Sequence, residues 1–310
     1  MFLAIDVGNT NTVLGVFQGE HLVADWRVRT ERERTRDELG ILLSNLFAAS
    51  PVPMGSIDGV IISSVVPPMN NTLNDFCRRY FGLQPLFVGP GIKTGMPILY
   101  DNPREVGADR IVNAVAAFDR FPQDLIVVDF GTATTFDCIS ADGKYLGGAI
   151  APGIVISCEA LFQRASKLPR VEIFTKPKLA VAKDTISSMN AGIIFGYAGL
   201  VDGLVWAINK ERGLSSKVLA TGGLAGIIAT QSETIEEVDE LLTLRGLYIL
   251  STAISKAFSG GGNATRQAPC PLLQLGLGWA AAPGGACAEA CQGRAGGTAR
   301  PGPPLAARQG

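Results

Sequence analysis

Short apolar segments separated by small polar turns open the chain and recur near its middle. Strands are predicted at residues 1–6, 12–17 and 21–29, and again at residues 125–130, 134–139 and 144–150. Within residues 21–29, Leu22, Ala24, Trp26 and Val28 occupy every second position, which predicts that they share one face of the strand. The pattern therefore predicts two meanders of three strands.

Segments with helical spacing follow each predicted meander. After the first one, Leu39, Leu43 and Phe47 recur every fourth residue, as on one face of a helix. Further helices are predicted around residues 73–80, 106–121, 153–166 and 186–208, and further strands at residues 57–66, 85–88 and 217–221. The order βββ-α-β-α occurs twice, which predicts an α/β fold of two duplicated domains facing each other across a central cleft.

The composition changes abruptly near residue 259. Residues 259–310 contain 12 Gly, 12 Ala and 6 Pro, and they lack Ile, Val, Phe and Tyr. Such a segment cannot bury much apolar surface, so we expect a low-complexity, disordered tail. The predicted domains are residues 1–121 and 122–258, followed by this tail.

Charge and cysteine usage narrow the function classes. The 27 Lys and Arg residues nearly balance the 28 Asp and Glu residues, which argues against a nucleic-acid or membrane partner and favours a small molecule. Residues 1–5 have no basic leader, so we expect a cytoplasmic protein. Six cysteines without a C-x-x-C pair, and His21 as the single histidine, give little support to a zinc site or a catalytic histidine.

The first turn of each meander has the residues of a phosphate-binding loop. The two sequences are DVGNTN at residues 6–11 and DFGTATT at residues 129–135. Glycine lets a phosphate approach the backbone and threonine hydroxyls add donors, whereas Asp6 and Asp129 require an intervening cation such as Mg²⁺. A third glycine turn, TGGLA at residues 221–225, could lie against an adenosine. Each of these three sequences is also typical of an ordinary turn. The occurrence of two such turns, one at the first hairpin of each meander, favours phosphate binding.

Taken together, these motifs resemble those of the superfamily of acetate and sugar kinases, heat-shock chaperones and actin. GADR at residues 107–110, GGAIAPGI at residues 147–154 and DTISSMNAG at residues 184–192 resemble type III pantothenate kinases specifically. The resemblance covers about residues 1–258. It implies two ribonuclease H-like βββαβα domains of the actin-like ATPase fold.

The resemblance also implies a function: a cytoplasmic homodimer that phosphorylates pantothenate with ATP in the first step of coenzyme A biosynthesis. The implied cofactors are ATP, Mg²⁺ and a monovalent cation, K⁺ or NH₄⁺. Asp109 would be the proton acceptor, and Asp129 would lie at the monovalent cation. The implied ATP-binding residues are Asp6, Val7, Gly8, Asn9, Thr10, Asn11, Thr12, Val13 and Thr132. The implied pantothenate-binding residues are Tyr100, Gly107, Ala108, Asp109, Arg110 and Thr185.

Several of these residues also have ordinary structural interpretations. Asp109 could be a first-turn acid favoured by the helix dipole. Arg110 could form a salt bridge or lie on a solvated face, instead of binding a substrate carboxylate. Thr185 could be a helix N-cap, although Asp184 is better placed for that role. Tyr100 could be a loop aromatic.

Two rival functions share this fold. The first is a catalytically silent nucleotide-binding accessory protein, and the second is a kinase for another small molecule. The intact Asp109 argues against the silent protein.

Overall fold

Two five-stranded sheets form the centre of the computed structural model, which describes residues 1–89, 92, 94–170 and 176–259. The first sheet contains β1 (Phe2–Val7), β2 (Asn11–Gln18), β3 (His21–Arg29), β4 (Gly59–Ser64) and β5 (Leu86–Val88). The second contains β6 (Leu125–Phe130), β7 (Ala133–Ile139), β8 (Tyr145–Pro152), β9 (Lys217–Thr221) and β10 (Glu237–Val238).

The two sheets have the same topology. Their orders are β3-β2-β1-β4-β5 and β8-β7-β6-β9-β10 when both are read from the meander edge. In each sheet the first strand of the meander pairs antiparallel with the next strand and parallel with the strand that returns after a helix. The duplicated α/β fold predicted from the order of elements is therefore confirmed.

The helices of the described residues follow the strands in the predicted order. They are α1 (Arg36–Ala48), α2 (Met69–Phe76), α3 (Ala108–Arg120), α4 (Ile154–Arg164), α5 (Thr185–Arg212), α6 (Ala225–Ala229) and α7 (Leu242–Ser259). A capping box between Thr35 and Glu38 starts α1, and Gly213 in the left-handed region ends α5.

Helices α3 and α7 pack between the two sheets. The central core combines Ala4 and Ile61 of the first sheet with Val127 and Leu219 of the second. Leu247 of α7 belongs to the same core. Because the strands also bury their opposite faces, they read as continuous apolar segments instead of alternating ones.

The outer faces of the sheets carry separate cores. Leu43 of α1 and Leu73 of α2 pack with Leu3 and Ile5 on the first sheet. On the second sheet, α4, α5 and α6 cover residues such as Val128. Helix α5 is long and apolar enough to cross a membrane by length and composition alone, and 33% of its most apolar stretch is buried inside the protein.

The prediction of a single face for β3 is wrong at one residue. Ala24 is paired with Val16, but Leu22 is paired with Phe17, so the ladder contains a bulge at Val23. Directly opposite residues share a face, and Leu22 therefore packs with the central core while Ala24 packs with the outer one.

Helix α7 was not predicted. The predicted tail begins at Ser259, which is the last residue of this helix. The expected disorder of the tail concerns residues 260–310, which lie outside the described residues. The domain boundaries at residues 121 and 258 stay a prediction.

Candidate active site

The turn between β1 and β2 is held in shape from both sides. The amide of Gly8 donates to the carbonyl of Asn11 at 3.0 Å, which closes the turn. Thr30, which follows β3, donates its hydroxyl to the carbonyl of Gly8 at 2.8 Å and its amide to the carbonyl of Thr10 at 2.9 Å. The turn is therefore fixed while Asn9 and Thr10 stay exposed to a ligand.

The equivalent turn between β6 and β7 lies next to the first. The amide of Gly131 donates to the carbonyl of Ala133 at 3.1 Å, and Thr132 is exposed. The hydroxyls of Thr10 and Thr132 are 3.5 Å apart. Gly153, at the start of α4, lies so close to the carbonyl of Thr132 that a side chain there would overlap it. The two turns predicted to bind phosphate thus meet at their tips.

The third glycine turn contacts the second. Gly222, after β9, has a φ of +95°, and an added Cβ would lie 2.7 Å from the carbonyl oxygen of Phe130 and 2.8 Å from Asp129 Oδ1. Only glycine satisfies both the left-handed backbone and this close approach. All three turns singled out in the sequence therefore lie around one site.

Three carboxylates, those of Asp6, Asp109 and Asp129, interact electrostatically at this site. Burial, followed by repulsion from Asp109, raises the pKa of both Asp6 and Asp129 to about 7. Burial also raises the pKa of Asp109, at the start of α3. Clustered acids with raised pKa values are typical of a site that binds a cation or transfers a proton.

Asn113 connects this cluster to the last helix. Its side-chain amide donates to Asp129 Oδ2 at 3.1 Å, and its carbonyl oxygen accepts from the hydroxyl of Thr243 in α7 at 2.7 Å. Asn113 is fully buried. Asp129 is therefore oriented by residues from two different helices.

Arg110 forms a buried ion pair, one of the alternatives that the sequence left open. Its Nε donates to Asp137 Oδ1 at 2.7 Å, and Nη2 lies 2.7 Å from the same oxygen. Asp137 also accepts from the hydroxyls of Tyr145 at 2.7 Å and Thr135 at 3.2 Å. Burial nevertheless raises the pKa of Asp137 to about 6, against the opposing effect of Arg110. Arg110 contacts Asp137 through the Nε–Nη2 edge of its guanidinium, so other N–H donors of that group remain for a ligand.

The other predicted substrate residues lie in two places. The ring of Tyr100 is 6.5 Å from that of Tyr145, beside the Arg110 ion pair. Thr185 instead lines a groove of about 930 Å³ between α4 and α5, whose lining includes neither Asp109 nor Arg110. The side chain of Asp184 accepts from the amide of Ser187 at 2.9 Å, so Asp184 is the N-cap and Thr185 keeps its hydroxyl free of that role.

Comparison with known proteins assigns the family. A family model described as type III pantothenate kinase matches residues 2–207. The chain belongs to the type III pantothenate kinase family.

Curated type III pantothenate kinases are similar to this chain over nearly their whole length. The protein from Syntrophus aciditrophicus is 62% identical over 250 residues, which are 81% of this chain and 98% of the relative. The protein from Geobacter sulfurreducens is 60% identical with the same two coverages. Such similarity makes the chain a phosphotransferase of coenzyme A biosynthesis and does not favour the catalytically silent alternative.

A more distant solved structure agrees in fold. The activator of the 2-hydroxyisocaproyl-CoA dehydratase from Clostridium difficile, with bound ADPNP, has a TM-score of 0.51 and 13% identity, and the match covers 86% of this chain and 99% of that one. This chain therefore shares the two-sheet architecture of that protein.

Sequence reasoning missed several residues of this site. Asp137 was detectable, because a charged residue inside the apolar segment 134–139 of a predicted strand is buried and needs a partner. Arg32 lies in the mixed-charge segment at residues 29–38, and its Nη2 donates to Asn9 Oδ1 of the first turn at 3.0 Å. This contact depends on the path of the chain after β3, which no local pattern reveals.

Proposed function

We propose that this chain transfers the γ-phosphoryl group of ATP to the primary alcohol of pantothenate, forming 4′-phosphopantothenate and ADP. The observation that carries the proposal is the meeting of the two glycine-threonine turns, with Thr10 and Thr132 3.5 Å apart, beside three interacting carboxylates. Residues 6–13 and Thr132 would hold the ATP phosphates. Backbone N–H groups and hydroxyls at such turns suit phosphate oxygens.

Asp109 is the proposed proton acceptor. As the alcohol oxygen attacks the γ-phosphorus, its O–H proton passes to the Asp109 carboxylate. The new O–P bond forms, and the bond from the γ-phosphorus to the bridging oxygen breaks, leaving its electron pair on ADP. Burial raises the pKa of Asp109 above its usual range, so its carboxylate accepts a proton more readily, as a general base requires.

Cations belong to the proposal because ATP and the acidic cluster are both negative. Carboxylate oxygens are suitable ligands for Mg²⁺ and K⁺. Burial, followed by repulsion from Asp109, raises the pKa of Asp6 and Asp129, and a bound cation would favour the charged form of both carboxylates. Asp6 would hold Mg²⁺ through water and Asp129 would lie at K⁺ or NH₄⁺. Among the described residues no group of three His, Cys, Asp or Glu side chains forms a complete metal site, so ATP and water would supply other ligands. Bound cations would neutralise the phosphate charge.

Pantothenate would bind on the α3 side of the cluster. Gly107 and Ala108 begin this helix segment, and Arg110 has N–H groups left for the pantothenate carboxylate. Tyr100 would form a wall of the pocket. Thr185 is the remaining proposed ligand, and its position in the groove between α4 and α5 separates it from the others in a single chain.

A homodimer through the α4–α5 face is the proposed assembly. Large apolar side chains are exposed there, among them Val155, Phe162, Ile186 and Trp206. Exposed apolar surface of this kind marks interaction sites. Light scattering after gel filtration should give twice the chain mass of 32.6 kDa, and a mass equal to one chain would contradict the homodimer. We propose a cytoplasmic protein without nucleic-acid or membrane partners.

The direct test incubates the purified chain with ATP, Mg²⁺, K⁺ and pantothenate and detects phosphopantothenate by mass spectrometry. Asp109→Asn should lower kcat by about 10²–10⁴-fold, because it removes the base. Asp119→Asn is the matched control, since Asp119 is exposed on the same helix, and it should leave kcat unchanged. Absence of product from the wild-type chain would refute the function, and activity unaffected by omitting K⁺ would refute the monovalent cation.

A further inference from the structure

Arg27 lies on the same sheet face as the first carboxylate of the site. In the first sheet Asp6 is directly opposite Val13, and Val13 is directly opposite Arg27. Residues opposite each other in antiparallel strands have their side chains on the same face. Neighbouring strands are about 4.8 Å apart, so the long arginine side chain can reach across β2 towards Asp6.

The guanidinium of Arg27 reaches the second half of the molecule. Its Nη1 lies 3.0 Å from the position that a Cβ atom would take on Gly223, in the third glycine turn. Burial raises the pKa of Asp6 and Asp129, and the positive charge of Arg27 lowers both values. Arg27 thus lies at the third glycine turn and interacts electrostatically with the two aspartates that precede the phosphate-binding turns, although β3 is at the edge of its sheet.

The side chain of Arg27 has no hydrogen bond or ion pair with another described residue. The other arginines near the site differ, because Arg110 is paired with Asp137 and Arg32 donates to Asn9. The side chain of Arg27 is also exposed. An exposed cation that points at a site containing three carboxylates, yet pairs with none of them, has its N–H donors available to a ligand.

We propose that Arg27 is a catalytic residue that donates hydrogen bonds to the β- and γ-phosphate oxygens during transfer. The proposal rests on the proposed function and adds a residue that neither the motifs nor the resemblance indicated. The chemical step stays as described above, with the proton passing to Asp109. Arg27 stabilises the negative charge that accumulates on the bridging oxygen as the bond to the γ-phosphorus breaks.

The planar guanidinium of Arg27 predicts a specific order of kcat values among its variants. Arg27→Met keeps the length of the side chain without its charge, and it should lower kcat by about 10²–10³-fold while the KM for ATP changes less than about tenfold. Arg27→Lys keeps the charge but loses the fork of donors, and it should have an intermediate kcat. Arg36→Met is the matched control, because Arg36 is exposed in the first turn of α1 and its one ion pair within the described part of the chain is with Asp37, at 3.7 Å.

Chemical rescue separates this role from a structural one. For Arg27→Ala, guanidinium chloride at millimolar, non-denaturing concentration should restore part of kcat, whereas the same concentration of NaCl should not. A merely structural arginine would give no rescue, and that result would overturn the proposal. So would a kcat of Arg27→Met within about threefold of wild type, or an effect on the KM for ATP alone. If instead the wild-type chain makes no phosphopantothenate, the proposed function itself has failed.

Discussion

Replacing Gly246 of α7 by alanine tests the packing on which the site depends. An added Cβ would overlap the carbonyl oxygen of Val112 in α3 and would lie only 2.7 Å from Val112 Cγ1. Carbon atoms need about 3.5–4.0 Å, so α3 and α7 would have to separate by about 1 Å. Overpacking of this kind costs about 1–3 kcal/mol, and the better helix propensity of alanine returns about 1 kcal/mol.

The expected net result is a free energy of unfolding lowered by up to about 2 kcal/mol, measured by urea denaturation followed by circular dichroism. Activity should fall as well, because α3 carries Asp109 and Asn113. Gly226→Ala in α6 is the matched control: its added Cβ would meet only Glu240 Oε1 at 3.7 Å, so stability should be unchanged or higher. A Gly246→Ala variant that is more stable than wild type would refute the reasoning from the tight contact between α3 and α7.

Three further predictions concern charge and chain length. Burial raises the pKa of Asp129 to about 7, so the folded state binds a proton that the unfolded chain loses near pH 4, and stability falls as pH rises between these values. Asp129→Asn should be inactive, because it removes the proposed cation ligand. Without ligands, its free energy of unfolding at pH 8 should exceed that of wild type by at most about 4 kcal/mol, and by about 1–2 kcal/mol after allowing for partial exposure. Urea titrations should show a smaller difference at pH 5. Asp137→Asn should lower the free energy of unfolding by about 3 kcal/mol, because it leaves Arg110 buried without its partner, whereas Asp142→Asn at the surface should not. A chain ending at Ser259 should retain wild-type kcat, since every proposed site residue precedes it, and a large loss would contradict this.

Local patterns were sufficient for most strands and for the three turns. Residues 21–29, 125–130 and 217–221 were predicted with the bounds that the structure shows, because each is a short apolar or alternating segment between polar turns. The turns were recognisable because glycine and threonine follow an acid at the same place in both halves.

Features that depend on distant contacts were not predictable in this way. The bulge at Val23 shifts the pairing of β3 without a glycine to mark it. Helix α7 follows the second half in sequence but packs partly on the first sheet, where Leu244 lies next to Gly15. Arg27 has the alternation of an ordinary exposed strand residue, and its relation to Asp6 becomes visible only from the register of three strands.

The position of α7 has a consequence for biosynthesis. Tyr248 stacks on Phe17 with ring centroids 4.7 Å apart, although 231 positions separate the two residues along the chain. A ribosome therefore releases the first sheet long before the helix that covers part of its inner face. The nascent amino-terminal half must keep apolar surface uncovered for most of translation, when chaperones would bind it, and domain-by-domain folding during synthesis is incomplete until the last described helix emerges.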